Sequence, residues 1–195
     1  AMAAVQSGQA SQDPAKMMKS LEDGISIFKE GLSLAKEQFL LKEIINAQMG
    51  ALCYQGASVQ MQMRMGEEMK NNRVGMTRHQ TKATQLFGRA KEYLSQAHAK
   101  DWVLSIIRNW QGPGMLAAME YRDGHKEAAL ERMAKCKSVG KSDPLFWGGY
   151  AWMLHENDRG SDALIAANEG LDKNPSSEPL KRMIDSISNQ KEIDT

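Results

Sequence analysis

From Asp13 onward, apolar side chains recur at three- and four-residue steps, the spacing of one helical face, and no stretch alternates convincingly as a half-buried strand would. Asp13-Pro14 sets a capping carboxylate before a proline that is harmless in a first turn. Met17, Met18, Leu21, Ile25, Phe28, Leu32 and Ala35 then follow on one face. A second helix is predicted from Phe39 to about Val59, carrying Leu40, Ile44, Ala47, Ala51, Leu52 and Gly56. Between Gln60 and Met76 the character changes, and Asn71-Asn72 with Gly75 predict a loop. The next helix is expected from near Thr77 to about Lys100, and a short one, capped by Asp101, over Trp102 to Trp110. Gln111-Gly112-Pro113-Gly114 predicts a break or kink. A helix over Met115 to Arg122, a turn at Asp123-Gly124 and a helix over His125 to Lys137 follow.

The stretch Asp143 to Pro175 is the most explicit. Asp143-Pro144 repeats the capped start, and Trp147, Tyr150, Ala151 and Leu154 share a face. His155 to Gly160 predicts a turn. Ala163, Ala167 and Gly170 put small residues on one face of the next helix, and Asn174-Pro175 ends it. After Ser176-Ser177 and Pro179, a last helix presents Leu180, Met183, Ile184 and Ile187 on one side and polar residues elsewhere, as a closing helix does.

This stretch resembles a tetratricopeptide repeat, a helix-turn-helix unit of about 34 residues. Counting Pro144 as position one, Trp147 falls on the family's aromatic position, Ala151 and Ala163 on its small positions and Pro175 on its closing proline. Tyr150-Ala151 replaces the usual Leu-Gly, and Ala167 replaces the usual aromatic. One repeat length earlier, Gly114, Ala117, Met119, Ala129 and Leu130 meet Gly148, Ala151, Met153, Ala163 and Leu164. Ala83, Phe87 and Ala90, and Gly24, Phe28 and Gly31, repeat the second-helix spacing.

The resemblance implies an all-α fold of antiparallel helix pairs stacked in a right-handed superhelix. Residues 13–195 would form one domain behind a disordered 1–12. Within it, irregular helices span 13–100 with a Met-rich insertion at about 60–76, more regular repeats span 101–175, and a capping helix covers 178–190. It also implies a concave face lined by the first helix of each repeat, used to hold a protein or peptide partner. The corresponding positions are Gly148, Trp152 and His155, and one repeat earlier Gly114, Ala118 and Tyr121 with Arg122 beside them. Glycine and alanine there would leave room for a ligand backbone, while Trp, Tyr and Arg are the types that anchor interfaces. The family's Lys and Asn clamp for a C-terminal carboxylate is not visible.

Composition bounds the partner classes, and the search for enzyme motifs finds little. Formal charge is +1, which gives no global pull toward nucleic acid or membrane. No apolar run reaches the roughly 20 residues of a span, no secretory leader is read, and two isolated cysteines fit a reducing, cytoplasmic setting. Gly140-Lys141-Ser142 lacks the earlier glycine and the strand of a phosphate loop. His79, His98, His125 and His155 lack zinc spacing, and Cys53 and Cys136 have no sequence-local partner. Hence no catalytic residue, metal or cofactor is expected. Two alternatives stand beside the adaptor or chaperone reading. One is a self-associating subunit. The other is Cu(I) binding by Met61, Met63 and Met65, whose soft thioethers would wrap the ion from an extended segment. Arg64, Lys70, Arg73, Arg78 and Lys82 make this neighbourhood basic, yet without interleaved aromatics, so no nucleic acid is expected.

Overall fold

A computed structural model describes residues 13–35, 39–97 and 110–193; the side chains of Phe39 and of residues 190–193 lie outside it. The expected disordered 1–12 and the expected helix over Trp102 to Trp110, apart from Trp110 itself, fall outside the described residues. All secondary structure among the described residues is helical, with nine helices and no strand. The chain divides into two compact units, residues 1–103 and 104–195.

The first unit contains α1 (Pro14–Leu34), α2 (Phe39–Met69) and α3 (Arg73–Ala97). Asp13 caps α1 by accepting from Ala15 N–H at 2.9 Å. Helix α2 is about 46 Å long by its rise per residue and runs well past Val59, through the segment read as changed in character. Gln, Met, Arg and Glu are good helix formers, so a thinning apolar face did not end the helix. The loop shrinks to Lys70–Asn72, and α3 begins at Arg73 rather than near Thr77. The two asparagines build this turn. Asn71 takes the left-handed conformation (φ 54°) that ends a helix, and Asn72 accepts from Gly75 N–H at 3.1 Å, capping α3.

Helices α2 and α3 form a long antiparallel hairpin. At Gly50 an added methyl would lie 2.5 Å from Leu94 Cγ, so only glycine permits this approach. Tyr54 meets Phe87 edge-on at 5.5 Å, and Gln60 shares a 2.7 Å hydrogen bond with His79 Nδ1. Helix α1 lays Met18 and Leu21 on Leu52 and Val59, and its other end, with Ala35, on Ile45 and Met49. The buried side of α2 is therefore Ile45, Met49, Leu52, Cys53 and Ala57, while Leu40 and Ile44 are exposed. Of the apolar and small residues read on this helix, Leu52 and Gly56 are buried and Leu40 and Ile44 are not. Apolar residues surround its first half, and periodicity alone does not choose between two apolar sides.

The second unit contains α4 (Gln111–Arg122), α5 (Lys126–Lys135), α6 (Lys137–Gly140), α7 (Pro144–His155), α8 (Gly160–Lys173) and α9 (Glu178–Ile193). Gly112-Pro113-Gly114 does not break α4 but forms its first turn. Proline's missing N–H is harmless there, because the first turn has no intrahelical acceptor for it. Gly124 makes the turn to α5 with φ +90°, and the expected second helix is interrupted at Cys136. Asp143 caps α7 by accepting from Leu145 N–H at 2.9 Å and also accepts from Trp110 Nε1 at 2.8 Å.

Helix α4 packs on α5 and α7 on α8; α9 packs on α8 and α7. One core joins Leu130, Met133, Phe146, Trp147, Tyr150, Leu154, Ala163, Ala167, Leu180 and Ile187. The small face of α8 behaves as expected, for Gly170 sits directly on Trp147 with no room for a side chain between them. Glu120 and Arg132 clamp α4 to α5 through a two-toothed ion pair at 2.8 and 2.9 Å.

Candidate functional site

Helix α7 buries Phe146, Trp147, Tyr150, Ala151, Met153 and Leu154 on two sides. What remains outward is Leu145, Gly149, Trp152 and the half-buried His155, at steps of three and four. Leu145 is 70% exposed and Trp152 45%. Helix α4 buries Leu116, Ala117 and Met119, leaving Met115, Ala118 and Tyr121 half-buried and Arg122 exposed. These two stripes meet at their C-terminal ends, where the rings of Tyr121 and Trp152 lie 5.5 Å apart at 52°.

Around this pair the chemistry is mixed. Lys126 Nζ stands 5.6 Å from the centre of the Tyr121 ring, a cation facing an aromatic surface. Arg122 lies beside Asp123, Nε to Oδ1 3.9 Å. Burial pushes the Tyr121 phenol up from its usual range, and the charges of Glu156 and Asp158 push it the same way. Its hydroxyl is buried and meets no hydrogen-bond partner among the described residues. Asn157 donates to Glu127 at 3.0 Å, and Arg159 pairs with Asp162 at 2.7 Å. The rim is thus rich in hydrogen-bonding groups around a two-ring apolar centre.

The predicted positions separate in the structure. Tyr121 and Trp152 come together; Arg122 and the half-buried His155 lie on the same turns of their helices. Ala118 packs against the core cluster. Gly148 faces α9, with Leu180 Cδ2 4.0 Å from where its methyl would be. Gly114 is a correction. It is buried, and a methyl on it would lie 2.7 Å from the Trp110 ring, so that ring, and no ligand backbone, fills the space. Sequence reasoning missed Lys126 and the acidic pair Glu156 and Asp158, which the turns after α4 and α7 bring to Tyr121. Their only sequence signal is their place within a few residues of the two aromatic positions.

The methionines do not converge. Residues 61–65 are helical, Met63 packs beside the α1–α2 cluster, and Met65 points to solvent, so the extended wrap imagined for Cu(I) is not formed. Among the described residues no three His, Cys, Asp or Glu side chains gather as a metal-binding group. Among them also, no helix is long and apolar enough to cross a membrane. Burial pushes the thiols of Cys53 and Cys136 up to about 11. Both are buried and pack in the interior of their units.

Comparison with protein-family models finds no match, and comparison with curated proteins finds no significant one.

Proposed function

We propose that this chain is a tetratricopeptide-like binding protein, an adaptor or chaperone. It would hold a protein or peptide partner against the first helices of successive pairs, α4 and α7. The observation that carries this reading is the Tyr121–Trp152 pair. An indole at 45% exposure, resting on a half-buried tyrosine from the neighbouring first helix, is costly in water and anchors an interface well. The pairing of α4 with α5 and of α7 with α8, closed by α9, agrees with stacked repeats that end in a capping helix. The stacking of such pairs into a right-handed superhelix belongs to the same proposal.

The test is affinity capture with wild type and Trp152→Ala side by side, with circular dichroism on both. A partner held by wild type and lost by a fully helical variant supports the groove. Loss of helicity would show that Trp152 is core, and equal capture by both would move the contact elsewhere. Self-association is the second reading, favoured by Leu34, Leu40, Leu41 and Ile44, all at least 40% exposed around the α1–α2 junction. A sedimentation mass that does not change with concentration would remove it.

A further inference from the structure

The turn between α2 and α3 combines two features that the proposed binding face does not use. Its apolar side chains are among the most exposed described: Met65 60%, Met69 83% and Val74 81%. Its charge is one-sided, with Arg64, Lys70, Arg73, Arg78 and Lys82 against Glu67 and Glu68 over residues 64–82. The carboxylates are occupied within the tip. Glu67 accepts from Asn72 and pairs with Lys70 at 3.4 Å, which holds its pKa below the usual range, and Glu68 lies 3.9 Å from Arg64. Arg73, Arg78 and Lys82 are exposed and stand in no ion pair among the described residues.

We infer that this hairpin tip docks on an anionic lipid surface. Met69 and Val74 would enter the interface, and Arg73, Arg78 and Lys82 would face the phosphate and carboxylate headgroups. The geometry fits this occupant. Along α3, Arg78 lies about 6 Å and Lys82 about 12 Å behind Val74, at about 1.5 Å rise per residue. A Debye length of about 8–10 Å, with long side chains that stretch toward the charge, brings all three within reach. A nucleic acid would use the cations only. It would leave the exposed apolar residues in water, and no Phe, Tyr or Trp lies between Tyr54 and Phe87 for a base to stack on. A bilayer interface uses both halves of the pattern.

The test is flotation of the full chain with vesicles of equal parts phosphatidylcholine and phosphatidylserine, and with phosphatidylcholine alone. Wild type should float with the first and stay behind with the second. Arg73→Gln/Arg78→Gln/Lys82→Gln should weaken binding on the order of a hundredfold, since each cation near such a surface contributes about a factor of five. Met69→Ser/Val74→Ser should weaken it at least tenfold and leave the residual binding removable by salt. All substituted positions are exposed, and helicity is checked by circular dichroism; the single changes Val74→Ser and Arg78→Gln replace any combination that loses it. The inference fails if wild type ignores the anionic vesicles, if either variant floats unchanged, or if polyuridylate is bound in preference and displaces the protein from vesicles.

Discussion

Gly170→Ala should destabilise the second unit although alanine is the better helix former. An interior Gly→Ala change in a helix gains about 1 kcal/mol when nothing obstructs it. Here the new methyl meets the root of the Trp147 side chain, with Cγ at 2.6 Å and Cδ1 at 3.0 Å. These atoms sit next to the α7 backbone, and the indole Nε1 is tied to Lys141 C=O at 3.1 Å, so the ring has no easy escape. Helices α7 and α8 must separate, which loosens the core shared by Phe146, Tyr150, Ala163 and Ala167. Overpacking of this kind costs about 1–3 kcal/mol, and the rigid site argues for the upper end. The net expectation is a loss of about 2 kcal/mol once the propensity gain is set against it. Gly149→Ala, on α7 with nothing within 4 Å of the added methyl, is the control and should be neutral or stabilising by up to about 1 kcal/mol. Urea unfolding followed by tryptophan emission is the assay, because three of the four tryptophans, Trp110, Trp147 and Trp152, lie in the second unit. Equal or greater stability of Gly170→Ala would refute the close approach of α7 and α8.

Asp143→Ala removes both the α7 cap and the acceptor of Trp110 Nε1, and should cost about 2 kcal/mol in urea unfolding; Asp143→Asn, which keeps an acceptor, should recover about half. Asn72→Ala should cost about 1 kcal/mol in the first unit, read from the loss of helical ellipticity, through loss of the α3 cap. The two thiols, raised to about 11, should resist a disulfide reagent at mild alkaline pH until urea is added. Because the folded value lies above the unfolded one, their contribution to stability is complete below about pH 8.5, the unfolded value, and is lost as pH rises toward about 11. A flat stability profile across that window, compared with Cys53→Ala/Cys136→Ala, would contradict this.

Helix class, the capped starts at Asp13 and Asp143, and the turns at Gly124 and after His155 were legible in the sequence. Each depends on neighbours a few residues away: a carboxylate accepting from the N–H two residues on, a proline in a first turn, a glycine at positive φ. The small face of α8 was legible for the same reason, since size and spacing alone mark a close approach. The outer face of α2 was not, because that helix is apolar on more than one side and only α1 and α3 decide which side is covered. The continuation of α2 to Met69 was hidden because the apolar face thins there while residues of high helix propensity carry the helix on. At the candidate site, sequence spacing named Tyr121 and Trp152 but not their ring contact, and it left Gly114 open to a ligand where Trp110 fills the space. Local signals depend on chain geometry within one turn. The Trp110 ring is only one turn from Gly114, but its Nε1 is held by Asp143, 33 positions on, and Tyr121 and Trp152 likewise meet only in the folded unit.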